Sequence, residues 1–306
     1  MTHIVGHATD ARGTAALHLG AMLARSSGED LVVCSVVPSP WFPSMARVDA
    51  EYHAYLDTQG EEALAHAKAT LPPDVAATFV RHRATSAPAG LLEVADQHDA
   101  SLIVLGSSSA GVLGHIALGA VTDRLLHSSH LPVALATRGF RAKAGATVRG
   151  VTAAYGGAED ADNLAVAAAA FAARVGASLR LASFAVWSRP AYTTRLGSDG
   201  EDDVLAEWLS EMRAATEETL GKVRELPDVP HDLAAAVGMG TNWAEAIEDI
   251  EWQDGEVLVI GSSSVGPVKR VFLGSRAAKI VRHSPVPVVV VPRAAAAELA
   301  AEATQT

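Results

Sequence analysis

Two stretches of this chain, 155 residues apart (261 − 106), repeat one another, and the repeat limits what the whole can fold into. Residues 106–138 read GSSSAGVLGHIALGAVTDRLLHSSHLPVALATR, and residues 261–293 read GSSSVGPVKRVFLGSRAAKIVRHSPVPVVVVPR. Aligned without gaps, 11 of the 33 positions are identical, and about half of the others exchange one apolar residue for another. The period is half of the 306 residues, far beyond the roughly 20–50 residues of a solenoid repeat, so it marks a duplicated domain.

Both copies share one local grammar. An apolar run, Leu258-Val259-Ile260, breaks into a glycine- and serine-rich loop that continues to Leu273-Gly274-Ser275. An amphipathic helix over 276–283 follows, then an apolar strand over 286–291. Strand, small-residue loop, helix and strand describe the edge of a βαβ unit. Backbone N–H groups of such a loop, with a helix N-terminus behind it, make a site for phosphate.

The same alternation runs through each half. In the first, strands are predicted at 3–7, 30–37, 76–83, 100–105 and 132–136. Helices fall at 10–26, at 47–71, after Ser86, and between the loop and His130. Ser86 supplies a cap and Pro88 fits the first turn. Residues 139–145 (GFRAKAG) form a short linker. The second half repeats with strands at 148–154, 178–186, 232–238 and 256–261 and helices at 160–175 and 202–226. A further helix opens at Thr241 or Asn242, where Asn242 and Glu245 have capping-box spacing. The pattern predicts α/β domains at 1–140 and 146–306, each doubly wound (Rossmann-like or flavodoxin-like) around a five-stranded parallel sheet. Ligand crevices belong at the carboxyl ends of such strands.

Composition narrows the function classes. A net charge of −11 opposes nonspecific binding to nucleic acid. No apolar run is long enough to span a bilayer, and the first residues lack the charged region and cleavage site of a signal peptide. Cys34, the single cysteine, lies in an apolar strand, which excludes a disulfide framework and a cysteine-based metal centre. A soluble, cytoplasmic protein with neither nucleic-acid nor membrane partners is expected.

These residues resemble the universal stress protein family in its tandem two-domain form, over nearly the whole chain twice. The family's nucleotide signature is Gly, two residues, Gly, nine residues, Gly, then Ser or Thr. Here it is met as Gly261-x2-Ser264-x9-Gly274-Ser275 and as Gly106-x2-Ser109-x9-Gly119-Ala120. Serine replaces the middle glycine in both copies, with Gly111 and Gly266 two residues further on. Ala120 replaces the terminal hydroxyl in the first copy. ATP-binding members carry an Asp at the end of the first strand, where this chain has Ala8 and, in the second half, about Gly156.

The resemblance implies a stress-response regulatory protein, not an enzyme, that binds ATP with magnesium or another adenine nucleotide. The cofactor-binding residues it implies are Gly261, Ser262, Ser264, Gly266, Gly274, Ser275 and Arg276, with Gly106, Ser107, Ser109 and Gly119 in the first copy. Residues from Thr152 to Gly156 would border the base. It also implies that the closing strands, 133–136 and 288–291, pair antiparallel across a pseudo-two-fold axis within one chain. A homodimer of whole chains stays open. The alternative of a different class is a nucleotide-free module of the same fold that recognises an unknown protein partner.

Charge favours the second copy, where Lys269, Arg270 and Arg276 surround the loop, against His115 and Arg124 in the first. Glu159, Asp160 and Asp162 read either as favourable charge at a helix N-terminus or as magnesium ligands. Residues 156–160 resemble the SGGxDS loop of ATP pyrophosphatases, but a plain glycine turn accounts for them. His127 and His130 complement a helix C-terminus or hold a metal. Ser107, Ser108, Ser262 and Ser263 lack the GxSxG context and read as loop donors. Trp41 and Trp187 line the crevice or pack their loop.

Overall fold

Ten strands form one continuous sheet, in which each half contributes five parallel strands and the halves join edge to edge. The computed structural model describes residues 2–39, 46–156, 161–187, 198–262 and 273–305, without the side chains of 46–50 and 198–202. The first half comprises β1 (Thr2–Gly6), α1 (Ala11–Ser27), β2 (Asp30–Pro38), α2 (Ala46–Thr70), β3 (Ala77–Ala84), α3 (Ala87–Gln97), β4 (Ala100–Gly106), α4 (Ala120–Ser128) and β5 (Val133–Ala136). The second comprises β6 (Gly150–Ala154), α5 (Ala161–Val175), β7 (Ser178–Val186), α6 (Ser198–Arg224), β8 (Leu233–Gly240), α7 (Trp243–Glu248), β9 (Glu256–Gly261), α8 (Ser275–His283), β10 (Val288–Val291) and α9 (Arg293–Ala303).

The strand order is β3-β2-β1-β4-β5-β10-β9-β6-β7-β8, which reads as one five-strand order and its mirror. Within each half every pairing is parallel. Between halves β5 and β10 run antiparallel, with Val133, Ala134 and Leu135 opposite Val290, Val289 and Val288. Both strands are short and apolar, so each would be an exposed edge without the other. Their pairing buries Val133, Leu135, Val288 and Val290 completely or nearly so.

Alternation along the strands feeds two apolar layers. Val5, Leu31 and Val33 face one side, where α1, α2, α5, α6 and α9 pack. Ile4, Val32 and Ile103 face the other, where α3, α4, α7 and α8 pack. Cys34 is buried in the second layer, where burial pushes its thiol up to about 12 and leaves it inert.

The helix starts follow the capping chemistry. Asp10 accepts from the N–H groups of Arg12 and Gly13 at α1, and Ser86 caps α3 with a proline in its first turn. Asn242 caps α7 through the Glu245 N–H, but the Glu245 carboxylate takes the Thr241 N–H and hydroxyl, one residue earlier than a reciprocal box requires. The sequence reading had no α9. Its alanine-rich segment buries Ala296 and Ala300 in the same layer as α5. The linker turns through Gly139 (φ 78°) and Gly145 (φ 69°), values that favour glycine. Ser26 accepts the Val148 N–H, stitching α1 to the second half.

Two carboxylates, one half-buried and one buried, tie strands together at the amino ends of the strands in each half. Glu29 accepts from His3 of β1 and Ser101 of β4. Glu256 takes both Arg180 of β7 and Thr152 of β6. The hydrogen bond from His3 holds the Glu29 carboxyl down to about 2, against burial that pushes the other way, and Ser101 adds to the lowering. A carboxyl depressed in the folded state stabilises fully above its ordinary value of 4.5 and loses that contribution as pH falls toward about 2. Glu29→Gln should therefore cost about 1–2 kcal/mol at pH 7 and flatten the pH dependence of stability between 4.5 and 2. Urea melts at pH 7 and pH 3 test this, and equal losses at both would contradict it.

Candidate functional site

In the second half, β6 and β9 are neighbours, yet the helices that follow them, α5 and α8, lie on opposite faces of the sheet. This divergence opens a crevice at the carboxyl ends, the usual ligand position in an open α/β sheet. The cavity there has a volume of about 670 Å3. Ala154, Ser183 and Ile260 form its floor. Trp208 and Met212 of α6 and Trp243 of α7 wall it. Gly261 and Ser262 at the end of β9, with Arg276 in the first turn of α8, form its polar corner.

The polar corner suits an anion. Gly274 precedes α8 and offers no side-chain cap, so among the described residues no side-chain oxygen caps the first-turn N–H groups of that helix. Ser275 and Arg276 are exposed there. Ser262 contributes differently from the sequence reading. Its N–H bonds the Val291 carbonyl and its hydroxyl oxygen accepts the Arg293 N–H, which leaves its hydroxyl hydrogen as the donor. Ser264, Gly266, Lys269 and Arg270 lie outside the described residues, as do Trp41, Glu159 and Asp160.

At the other end of the cavity the strand-one segment is narrower than expected. Ala154, Tyr155 and Gly156 line it, whereas Thr152 is fully buried among Arg180 and Glu256. Tyr155 is held from behind. Its hydroxyl and the Asp162 carboxylate both meet Thr219 of α6, at 3.0 and 2.8 Å. Thr219 has one proton, which goes to the carboxylate, so Tyr155 donates to Thr219. Asp162 also pairs with Lys222 at 2.7 Å. Burial alone would raise the Asp162 carboxyl, but Lys222 and Thr219 outweigh it and hold it below its ordinary value. Asp162 is therefore occupied by its own helices and does not line the cavity.

The first half treats the same motif differently. A Cβ placed on Gly106 would lie 2.1 Å from the Arg12 carbonyl oxygen, so the start of α1 presses directly on the end of β4. On Gly261 the nearest atom would be a Leu164 methyl at 3.5 Å. Gly106 is a packing glycine; Gly261, among the described residues, leaves room for a Cβ in ordinary contact with Leu164. The first loop also spends its donors on itself. The N–H groups of Ser108, Gly111 and His115 bond to carbonyls within the loop, that of Ala117 bonds to the Ser107 hydroxyl, and that of Gly114 bonds to the Arg138 carbonyl. Ser107 is buried, Ser109 is exposed, and Gly119 precedes α4 without a side-chain cap.

At the place of Tyr155 the first half has His7, as each donates its N–H to the matching carbonyl of the second strand, Ala182 or Cys34. His7 is 6% exposed and stacks on His66 of α2, with centroids 5.4 Å apart and ring nitrogens at 3.3 Å. Burial chiefly lowers the His7 pKa, and the neighbouring His66 adds to this. His127 and His130 do not converge: His127 meets the Asp123 carbonyl and His130 faces Asp96. Among the described residues, no group of three or more His, Cys, Asp or Glu has metal-binding geometry. Trp187 lies outside the cavity lining. Trp208 and Trp243 take the role considered for it, and sequence patterning did not single them out.

The contrast between the two glycines is testable. Gly106→Ala should destabilise the protein by about 2 kcal/mol or more, because backbone must move, whereas Gly261→Ala should melt within about 0.5 kcal/mol of the parent. Equal losses in denaturant titrations would refute the assignment of packing to one and ligand space to the other.

Comparison with known proteins agrees with this architecture. The sequence profile of the Universal stress protein family matches residues 3–137 and again 148–292. A universal stress protein of Mycobacterium tuberculosis strain H37Rv is 37% identical over 296 residues, covering 95% of this chain and 100% of the relative. One from Mycobacterium bovis matches to the same extent. Solved structures share the fold at low identity. A universal stress protein from Archaeoglobus fulgidus DSM 4304 superposes with a TM-score of 0.57 at 18% identity, covering 95% of this chain and 98% of that one. A functionally unknown protein from Pseudomonas aeruginosa PAO1 gives 0.55 at 15% identity, covering 100% and 97%.

Proposed function

The chain belongs to the universal stress protein family, and we propose that it acts as a cytoplasmic stress-response regulator that binds one adenine nucleotide, ATP in the first instance, in its C-terminal half. The observation that carries this reading is the cavity of about 670 Å3 at the β6/β9 switch point, with an uncapped helix N-terminus and Arg276 at one corner. Phosphates would meet the first turn of α8, the Ser262 hydroxyl, Ser275 and Arg276. Gly274 admits them because it places no side chain of its own over the helix end. The base would lie among Trp208, Trp243 and Tyr155, where ring stacking stabilises a flat heterocycle.

The donor set fits a phosphate but adds no described carboxylate for a cation beside it, since Asp162 is paired with Lys222. Magnesium would arrive on the triphosphate and keep most of its water ligands. Binding without turnover is the expected mode, as the described cavity lining brings together no nucleophile and base.

Denaturing freshly purified protein and chromatographing the supernatant should release about one equivalent of adenine nucleotide per chain, the number of open crevices that the proposal counts. Gly274→Val should abolish binding and keep the fold, because Gly274 has φ −61° and ψ 163°, which any residue adopts. No nucleotide on the parent protein, and no thermal shift with ATP and magnesium, would transfer the reading to a nucleotide-free interaction module. Two equivalents would show that the first half binds as well.

A further inference from the structure

The cavity is electrically two-ended. Of the described residues that line it, Arg276 and Glu211 are the charged ones. Arg276 stands on α8, which follows β9, and Glu211 stands on α6, which follows β7. In the sheet β9 and β7 flank β6, and α8 and α6 pack on opposite faces, so Arg276 and Glu211 enter the cavity from opposite sides. Glu211 belongs to a stripe, Trp208, Glu211, Met212 and Ala215, at the i, i+3, i+4, i+7 spacing of one helix face. An exposed carboxylate interrupts an otherwise apolar wall there, beside the aromatic residues that would hold a base.

Resting on the nucleotide reading above, we infer that Glu211 selects the base: its carboxylate accepts from the exocyclic amino group of adenine and rejects a purine with a carbonyl at that position. A carboxylate has acceptors only. The amino group of adenine presents donors to it, whereas the carbonyl oxygen of hypoxanthine presents lone pairs at that position, so the carboxylate would have to shift toward the neighbouring N1–H or turn to water. The two bases differ little in shape, so discrimination comes from this pairing and not from fit.

The test uses the full chain and two probes, ATP and inosine 5′-triphosphate, each with magnesium, in calorimetric titrations. The parent protein should bind ATP about ten- to hundredfold more tightly, the range expected of one hydrogen bond to a charged group. Glu211→Gln, whose amide both donates and accepts, should bring the two affinities within about threefold of each other. Its thermal midpoint should match the parent's, since Glu211 is exposed. Equal affinities in the parent would overturn the inference while leaving the nucleotide site standing. Discrimination that persists in Glu211→Gln would assign the selection to another residue. Failure of both probes to bind the parent would overturn the nucleotide reading itself, and with it this inference.

Discussion

The antiparallel pairing of β5 with β10 is the contact on which the rest of the architecture depends. Each half is a five-stranded parallel sheet that ends on a short apolar strand, and such an edge in water invites association. Joining the two edges within one chain removes both liabilities and extends each apolar layer across the molecule. The direction of the join has a second consequence. Because β5 and β10 run opposite ways, the carboxyl ends of the first five strands point to one side of the sheet and those of the second five to the other. The two crevices cannot share a ligand, and neither can lend a residue to the other.

That separation leaves the halves free to diverge, and they have. The first closes its crevice with the start of α1 against Gly106 and with the His7–His66 stack. Its loop then satisfies its own amides, a stable state for backbone groups that would otherwise need water or an anion. In the second, Tyr155 is drawn back onto Thr219, Gly261 meets only the Leu164 methyls of α5 at ordinary contact among the described residues, and the space remains as a cavity. Gly106 thus serves as packing in one copy, whereas Gly261 and Ser262 line the cavity in the other.

The duplication and the element order were legible in the sequence, because period, apolar runs and turn residues are local signals that tertiary structure rarely overrides; the antiparallel pairing of the closing strands was implied by the family resemblance, not by those signals. The strand at 256–261 and the caps at Ser86 and Asn242 sit where the residues placed them. What was not legible depends on the distance between elements. Nothing in the pair Gly106 and Gly261 says that one meets a backbone carbonyl and the other a leucine methyl at ordinary contact. The stripe at Trp208 has the spacing of any core-facing helix, so its facing a cavity follows only from where α5 and α8 begin. The α9 helix was readable in principle, since a run of alanine and glutamate is helical by propensity, but it lies beyond the repeat that organised the reading.

A net charge of −11 poses an apparent conflict with the proposed phosphate site, which the length scales resolve. At physiological salt the Debye length is about 8 Å, so acidic residues spread over the surface act weakly at the cavity. What an incoming anion meets is local: Arg276, the N-terminus of α8, and hydroxyls in one corner. The overall charge keeps basic partners and other anionic surfaces apart in their preferences, while a few oriented dipoles decide what the crevice accepts. By the same reasoning Glu211 would not repel a phosphate bound as proposed: it and Arg276 enter the cavity from helices on opposite faces of the sheet, and screening would weaken any effect of one end on the other.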